Sequence, residues 1–75
     1  MKFLEASFER KHGELVMNQA VHNETMTPEI FRQVRGGQPA TPDEIRAANL
    51  RHVPDGFTIW RTKYGDLRAI KVEHL

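Results

Sequence analysis

Two stretches of this chain, Thr27-Pro28-Glu29 and Thr41-Pro42-Asp43-Glu44, open in the same way. A helix begins with backbone N–H groups that have no partner inside it, and a threonine hydroxyl just ahead of the first turn accepts from one of them. Proline at the first helical position gives up an N–H that would be unpaired anyway, and an acid beside it suits the positive end of the aligned peptide dipoles. In the second stretch Glu44 follows Thr41 by three residues, so the two side chains can satisfy each other's free amides in a capping box. Both helices are also stopped. Ile30, Phe31 and Val34 share one apolar face that ends at Gly36-Gly37, which predicts a helix over 28–35 and a loop from Gly36 to Ala40. Ile45 and Ala48, with Leu50 or Val53, form the second stripe, and Pro54 forbids continuation much past Arg51 or His52. Nothing else recurs between the two stretches, so they are one capping solution used twice.

The segment after the helices reads as a β-hairpin. Phe57, Ile59 and Arg61 alternate with Thr58, Trp60 and Thr62, a β-branched and aromatic composition, and Gly65-Asp66 marks a turn before a return strand from Leu67 to Val72. Arg68, Ile70 and Val72 share one face of that strand, and Leu67, Ala69 and Lys71 share the other. The pattern suggests apolar residues on one side of the hairpin, with Ile59 and Ile70 both buried, and basic or aromatic residues on the other. The first 22 residues support two readings. Phe3, Leu4 and Phe8 fit a helix ending near Gly13, followed by a strand through Leu15, Met17 and Val21; alternatively Leu4, Ala6 and Phe8 alternate as a strand that turns at His12-Gly13. At least one strand is expected there, because a lone C-terminal hairpin would leave its edges and an apolar face uncovered. The fold class is α+β: two short Thr-Pro-capped helices on a small antiparallel sheet with a C-terminal β-hairpin, in one domain over 1–75.

At 75 residues and 8.7 kDa the chain has room for one small core and none for a large enzyme's deep cleft. It has no cysteine, so neither a disulfide nor a thiolate metal site can supplement that core, and a reducing cytoplasm suits it. No apolar run approaches a signal sequence or membrane span, so export by that route is not expected, and Asn23-Glu24-Thr25, a glycosylation sequon by pattern, carries almost no weight without a signal peptide. Ser7 is the only serine and lacks a glycine-rich elbow. Glu5 and Glu9 read as solvated acids rather than a catalytic pair. His12, His22, His52 and His74 lack the spacing and acidic neighbours of a zinc helix, and Gly36-Gly37 lacks the lysine of a phosphate loop. Neither catalysis nor a metal or other cofactor is expected.

Binding is better supported. Residues 1–45 carry five basic and seven acidic side chains, whereas residues 46–75 carry six basic and three acidic, so the net charge of +1 conceals a bipolar chain. Trp60, Arg61, Lys63, Tyr64, Arg68 and Lys71 fall on the hairpin and its turn. Aromatic residues among arginine and lysine suit either phosphate contact with stacking or a protein interface; the bland alternative is a core tryptophan among solvated charges. One functional reading is DNA binding. If the N-terminal stretch is helix then strand, the element order resembles winged-helix proteins, with Arg46, Asn49 and Arg51 facing bases and Lys63 and Arg68 on the wing. Against it stand the acids at Asp43 and Glu44, the low net charge and the long loop between the helices.

The other reading rests on His52-Val53-Pro54-Asp55-Gly56-Phe57-Thr58-Ile59-Trp60-Arg61. This stretch resembles the Val-Pro-x-Gly-Phe-x-apolar-x-Arg segment leading into the last strand of small phage-encoded inhibitors of host RNA polymerase. The likeness covers ten of 75 residues. Elsewhere the chain departs, since those inhibitors are acidic and lack paired Thr-Pro-capped helices. The general profile is also similar to phage host-takeover proteins, which are very small, cysteine-free and non-enzymatic. The resemblance implies a cytoplasmic regulator in a bacterial host that contacts polymerase subunits, inhibiting initiation or altering termination. It carries over only Arg61 as an individual residue. An exposed edge strand would give such a protein a grip, and its basic hairpin could also meet RNA or DNA phosphates.

Overall fold

The computed structural model describes residues 1–74. Seven strands and two helices run in the order β1 (Lys2–Ala6), β2 (Phe8–Lys11), β3 (Glu14–Met17), β4 (Val21–His22), α1 (Pro28–Arg35), β5 (Gln38–Pro39), α2 (Pro42–Ala47), β6 (Thr58–Arg61) and β7 (Leu67–Glu73). Five of the strands form one antiparallel sheet in the order β4-β1-β7-β6-β5, and β2 with β3 forms a separate hairpin. The α+β class expected from the sequence is the class observed.

The N-terminal stretch is strand throughout, and the helical reading of it is corrected. His12 and Gly13 take φ of 51° and 81°, the left-handed pair that closes a two-residue hairpin in the twist of its strands. Without an N-terminal helix the winged-helix order is absent. The C-terminal hairpin turns through Lys63, Tyr64 and Gly65, with Thr62 N–H donating to the Asp66 carbonyl at 2.9 Å and Gly65 at φ 92°. The first helix has the predicted bounds, with Thr27 Oγ1 accepting from Ile30 N–H at 3.2 Å. The second has the full capping box but stops at Ala47, sooner than Pro54 requires, because Asn49 turns the chain at φ 55°. Gln38–Pro39, expected to be loop, pairs with Arg61 and Trp60 as a two-residue edge strand.

Alternation along the strands gives the sheet two apolar faces, each with its own cover. On one, Phe3, Ile70, Val72 and Trp60 meet Phe31 of α1; the Phe3 and Phe31 rings lie 5.5 Å apart, and Phe31 stands edge-on to Trp60 at 5.8 Å. On the other, Ala6, Ile59 and Ala69 are covered by Ile45 of α2, by Phe8 and Met17 of the β2–β3 hairpin, and by Val53 and Phe57. The expected division of the C-terminal hairpin into an apolar and a polar side is therefore corrected. Ile59 pairs with Ala69 and Ile70 with Thr58, on opposite faces. The two helices accordingly lie on opposite sides of the sheet.

Candidate interaction surface

The same alternation disperses the six hairpin residues singled out from the sequence. Trp60 and Arg68 project from one face of the sheet, Arg61 and Lys71 from the other, and Lys63 and Tyr64 sit on the turn. Trp60 is only 9% exposed, packs against Phe31, and donates its Nε1–H to the Gly36 carbonyl at 2.6 Å. It is a core residue, and its place in a partner-binding surface is corrected. Arg68 approaches Glu5 at 3.9 Å with both side chains largely buried, and Arg61 pairs with Glu44. Lys71 lies 3.9 Å from Glu73 and holds its ammonium 5.7 Å from the centre of the Phe57 ring. Four of the six are thus engaged within the fold.

The residues assigned to base contacts fare similarly. Arg46 pairs with Asp43 one helical turn back, and Asn49 Nδ2 donates to the Gly13 carbonyl at 3.1 Å, clamping the helix end to the first hairpin. The Arg51 side chain is exposed, while its N–H donates to the Leu15 carbonyl at 2.8 Å. A six-residue helix whose acids Asp43 and Glu44 occupy its first turn presents no cationic end to phosphates. Glu44 is held below the ordinary carboxylate pKa of 4.5, chiefly by the Thr41 backbone N–H, with the Thr41 hydroxyl and the Arg61 charge acting in the same direction.

The fold instead brings together the last turn of α1 and the β6–β7 turn. Lys63 N–H donates to the Arg35 carbonyl at 2.9 Å, and the Lys63 stem crosses Gly36 so closely that a β-carbon there would sit 2.8 Å from Lys63 Cδ. Arg32, Arg35 and Lys63 have no carboxylate in ion-pairing range among the described residues. The Nε–H of Arg35 is buried with no hydrogen-bond partner among them either. Beside these cations stand Val34, 48% exposed, and Tyr64, 71% exposed, with the Lys63 ammonium 5.2 Å from the Tyr64 ring. Sequence reasoning misses Arg32 and Arg35. Their local signal is only that of cations closing a helix, and a tertiary hydrogen bond between Lys63 and Arg35, 28 positions apart in the chain, is what brings that helix end to the turn.

Two clefts open elsewhere. One, of about 390 Å³, lies between the β2–β3 hairpin and the β6–β7 turn, with Phe8, Arg10, Leu15, Asp66 and Leu67 among its walls. The other, of about 360 Å³, lies between Met17, Ala20 and Phe57, with His52 at its rim. Among the described residues no group of three or more His, Asp and Glu side chains is placed to hold a metal ion, and no helix is long and apolar enough to cross a membrane. Compared with protein-family models, with curated proteins and with solved structures, the chain matches none.

Proposed function

We propose that this chain is a non-enzymatic transcription regulator that binds bacterial RNA polymerase in the cytoplasm of a host cell, inhibiting initiation or altering termination. One observation carries the binding part of the reading: the last turn of α1, with Arg32, Val34 and Arg35, meets the β6–β7 turn, with Lys63 and exposed Tyr64, and among the described residues none of the three cations has a carboxylate in ion-pairing range. Arginine and tyrosine are the side chains that most often anchor protein interfaces, and an apolar residue among them gives a partner something to desolvate. Such a site favours a partner with an acidic surface. The choice of polymerase rests on the resemblance of His52–Arg61. In that stretch Val53 and Phe57 pack inward and Gly56 turns the chain at φ 91°, but it leads into β6, the last strand but one, where the resembled segment leads into the last.

Mixing the purified chain with bacterial RNA polymerase and separating the mixture by size should give co-elution, with fewer or longer transcripts in a defined transcription reaction. Binding to duplex DNA alone should be weak. Steeply salt-dependent duplex binding without polymerase association would overturn this reading in favour of direct DNA binding. Binding to neither would remove the partner class altogether.

A further inference from the structure

The ladder between β1 and β7 stops early, and the larger cleft opens where it stops. Pairing runs from Lys2↔Glu73 to Ala6↔Ala69. The next step of that register would set Phe8 opposite Leu67, but at Ser7 the chain bends away into the β2–β3 hairpin, held there by Asn18, whose N–H donates to the Ser7 carbonyl at 2.9 Å. In an antiparallel ladder the backbone groups of alternate residues point to alternate neighbours. The Ser7–Asn18 bond shows that the odd residues of this stretch turn theirs toward β3, so Phe8 and Arg10 turn theirs the other way, into the cleft. On the facing strand Arg68 and Ile70 serve β6, which leaves Leu67 turned toward Phe8. Among the described residues Phe8, Arg10 and Leu67 thus have no strand partner on the cleft side.

The true ends of the large sheet offer much less. β4 and β5 are two residues each, and Pro39 lacks the N–H that would face outward from β5. The cleft is therefore the place where this fold presents an unfinished ladder over an apolar floor of Phe8, Leu15 and Leu67. Arg10 lines it, has no carboxylate in ion-pairing range among the described residues, and makes only a long 3.4 Å hydrogen bond to the Gly13 carbonyl. The Asp66 carboxylate across from it is already engaged by the Thr62 hydroxyl.

We infer that this cleft accepts an extended peptide segment of the partner, added as a strand to β2, with an apolar side chain on the floor and an acidic one at Arg10. The inference rests on the reading of the chain as a protein-binding module and names the kind of segment it grips. Cleft and cationic site share the β6–β7 turn, so one partner can engage both.

The test uses the whole chain, labelled with nitrogen-15, and a short capped peptide that sets a valine and an aspartate two positions apart among threonines, so that both fall on the face shared by Phe8 and Arg10. Saturable shifts at the amides of Phe8, Arg10 and Leu67 are expected at about 1 mM peptide, weakened about tenfold by Arg10→Glu. A valine–lysine peptide should fail to reproduce them. In a complex with RNA polymerase, the same amides should gain protection from hydrogen exchange. Absence of peptide shifts at these three amides, or shifts that appear merely on concentrating the chain, would overturn the proposal, the latter by assigning the edge to a second copy. Peptide shifts without polymerase binding would uphold the strand site and remove polymerase as the partner. A polymerase complex that leaves these amides unprotected would do the reverse.

Discussion

Gly37 is the residue whose replacement the fold tolerates least for its size. It sits at φ 79°, and a β-carbon there would run into the Arg61 carbonyl oxygen and the Thr62 backbone, neither of which can swing aside. Gly13, at φ 81°, has open space around it. Gly37→Ala should therefore cost more than about 2 kcal/mol, while Gly13→Ala should cost only the left-handed penalty of about 1 kcal/mol, both read from urea denaturation. Equal costs would show that the approach of Gly37 to β6 is not as close as described. Trp60 and Tyr64, four positions apart and grouped together by sequence, should separate just as clearly. Trp60→Ala removes the ring that packs on Phe31 and the donor to Gly36, and should cost about 3–5 kcal/mol. Tyr64→Ala should stay within about 0.5 kcal/mol, because the ring is mostly in solvent. A large stability loss at Tyr64 would remove it from the interaction surface.

The elements legible in the sequence are those whose signals are local. Both helix starts can be read because cap, proline and first-turn acid lie within four residues. The C-terminal hairpin can be read because period-2 alternation and a glycine turn sit together. Alternation says which residues share a face but not whether anything covers it. That is why Trp60 looks available in the sequence: α1, which hides it, lies more than 20 positions upstream. The N-terminal stretch is open to two readings because Phe3, Leu4 and Phe8 fit both periods, and only the left-handed pair at His12-Gly13 selects the hairpin. The capping box of α2 yields a prediction at this scale. Thr41→Ala should cost about 1 kcal/mol, since it strips the hydroxyl from Glu44 N–H. Glu44 titrates below its ordinary 4.5 in the folded chain, so its contribution is fully present above that pH and is lost as pH falls through the lower folded value. Melting curves from pH 5 downward should thus fall less steeply for Glu44→Gln than for the unaltered chain. Parallel slopes would mean that the Thr41 and Arg61 contacts do not hold the charged form.

For the whole molecule, the decisive feature is that the sheet is covered on both sides. Covering uses up the hairpin residues that sequence alone groups as a site, through Phe31 against Trp60, Glu44 against Arg61 and Glu5 against Arg68. The surface left for a partner lies where the last turn of α1 and the β6–β7 turn meet: cations without carboxylate partners among the described residues, an exposed tyrosine and an exposed valine. Two of its five residues, Lys63 and Tyr64, can be found in the sequence. Arg32, Val34 and Arg35 cannot, because only the folded chain brings a helix end against that turn. Reversing charge at Arg61 or Arg68 would break pairs inside the fold and confuse binding with stability. Reversal at Arg35 and Lys63, combined with Tyr64→Ala, avoids those ion pairs. The most direct measurement is a titration of labelled chain with purified bacterial RNA polymerase, for the unaltered protein and for this triple variant, with unfolding midpoints recorded alongside. Saturable binding that weakens by about 100-fold in the variant, with the variant still folded at the temperature of the titration, is the predicted result. No saturable binding by the unaltered chain, or equal affinity for both, would contradict it.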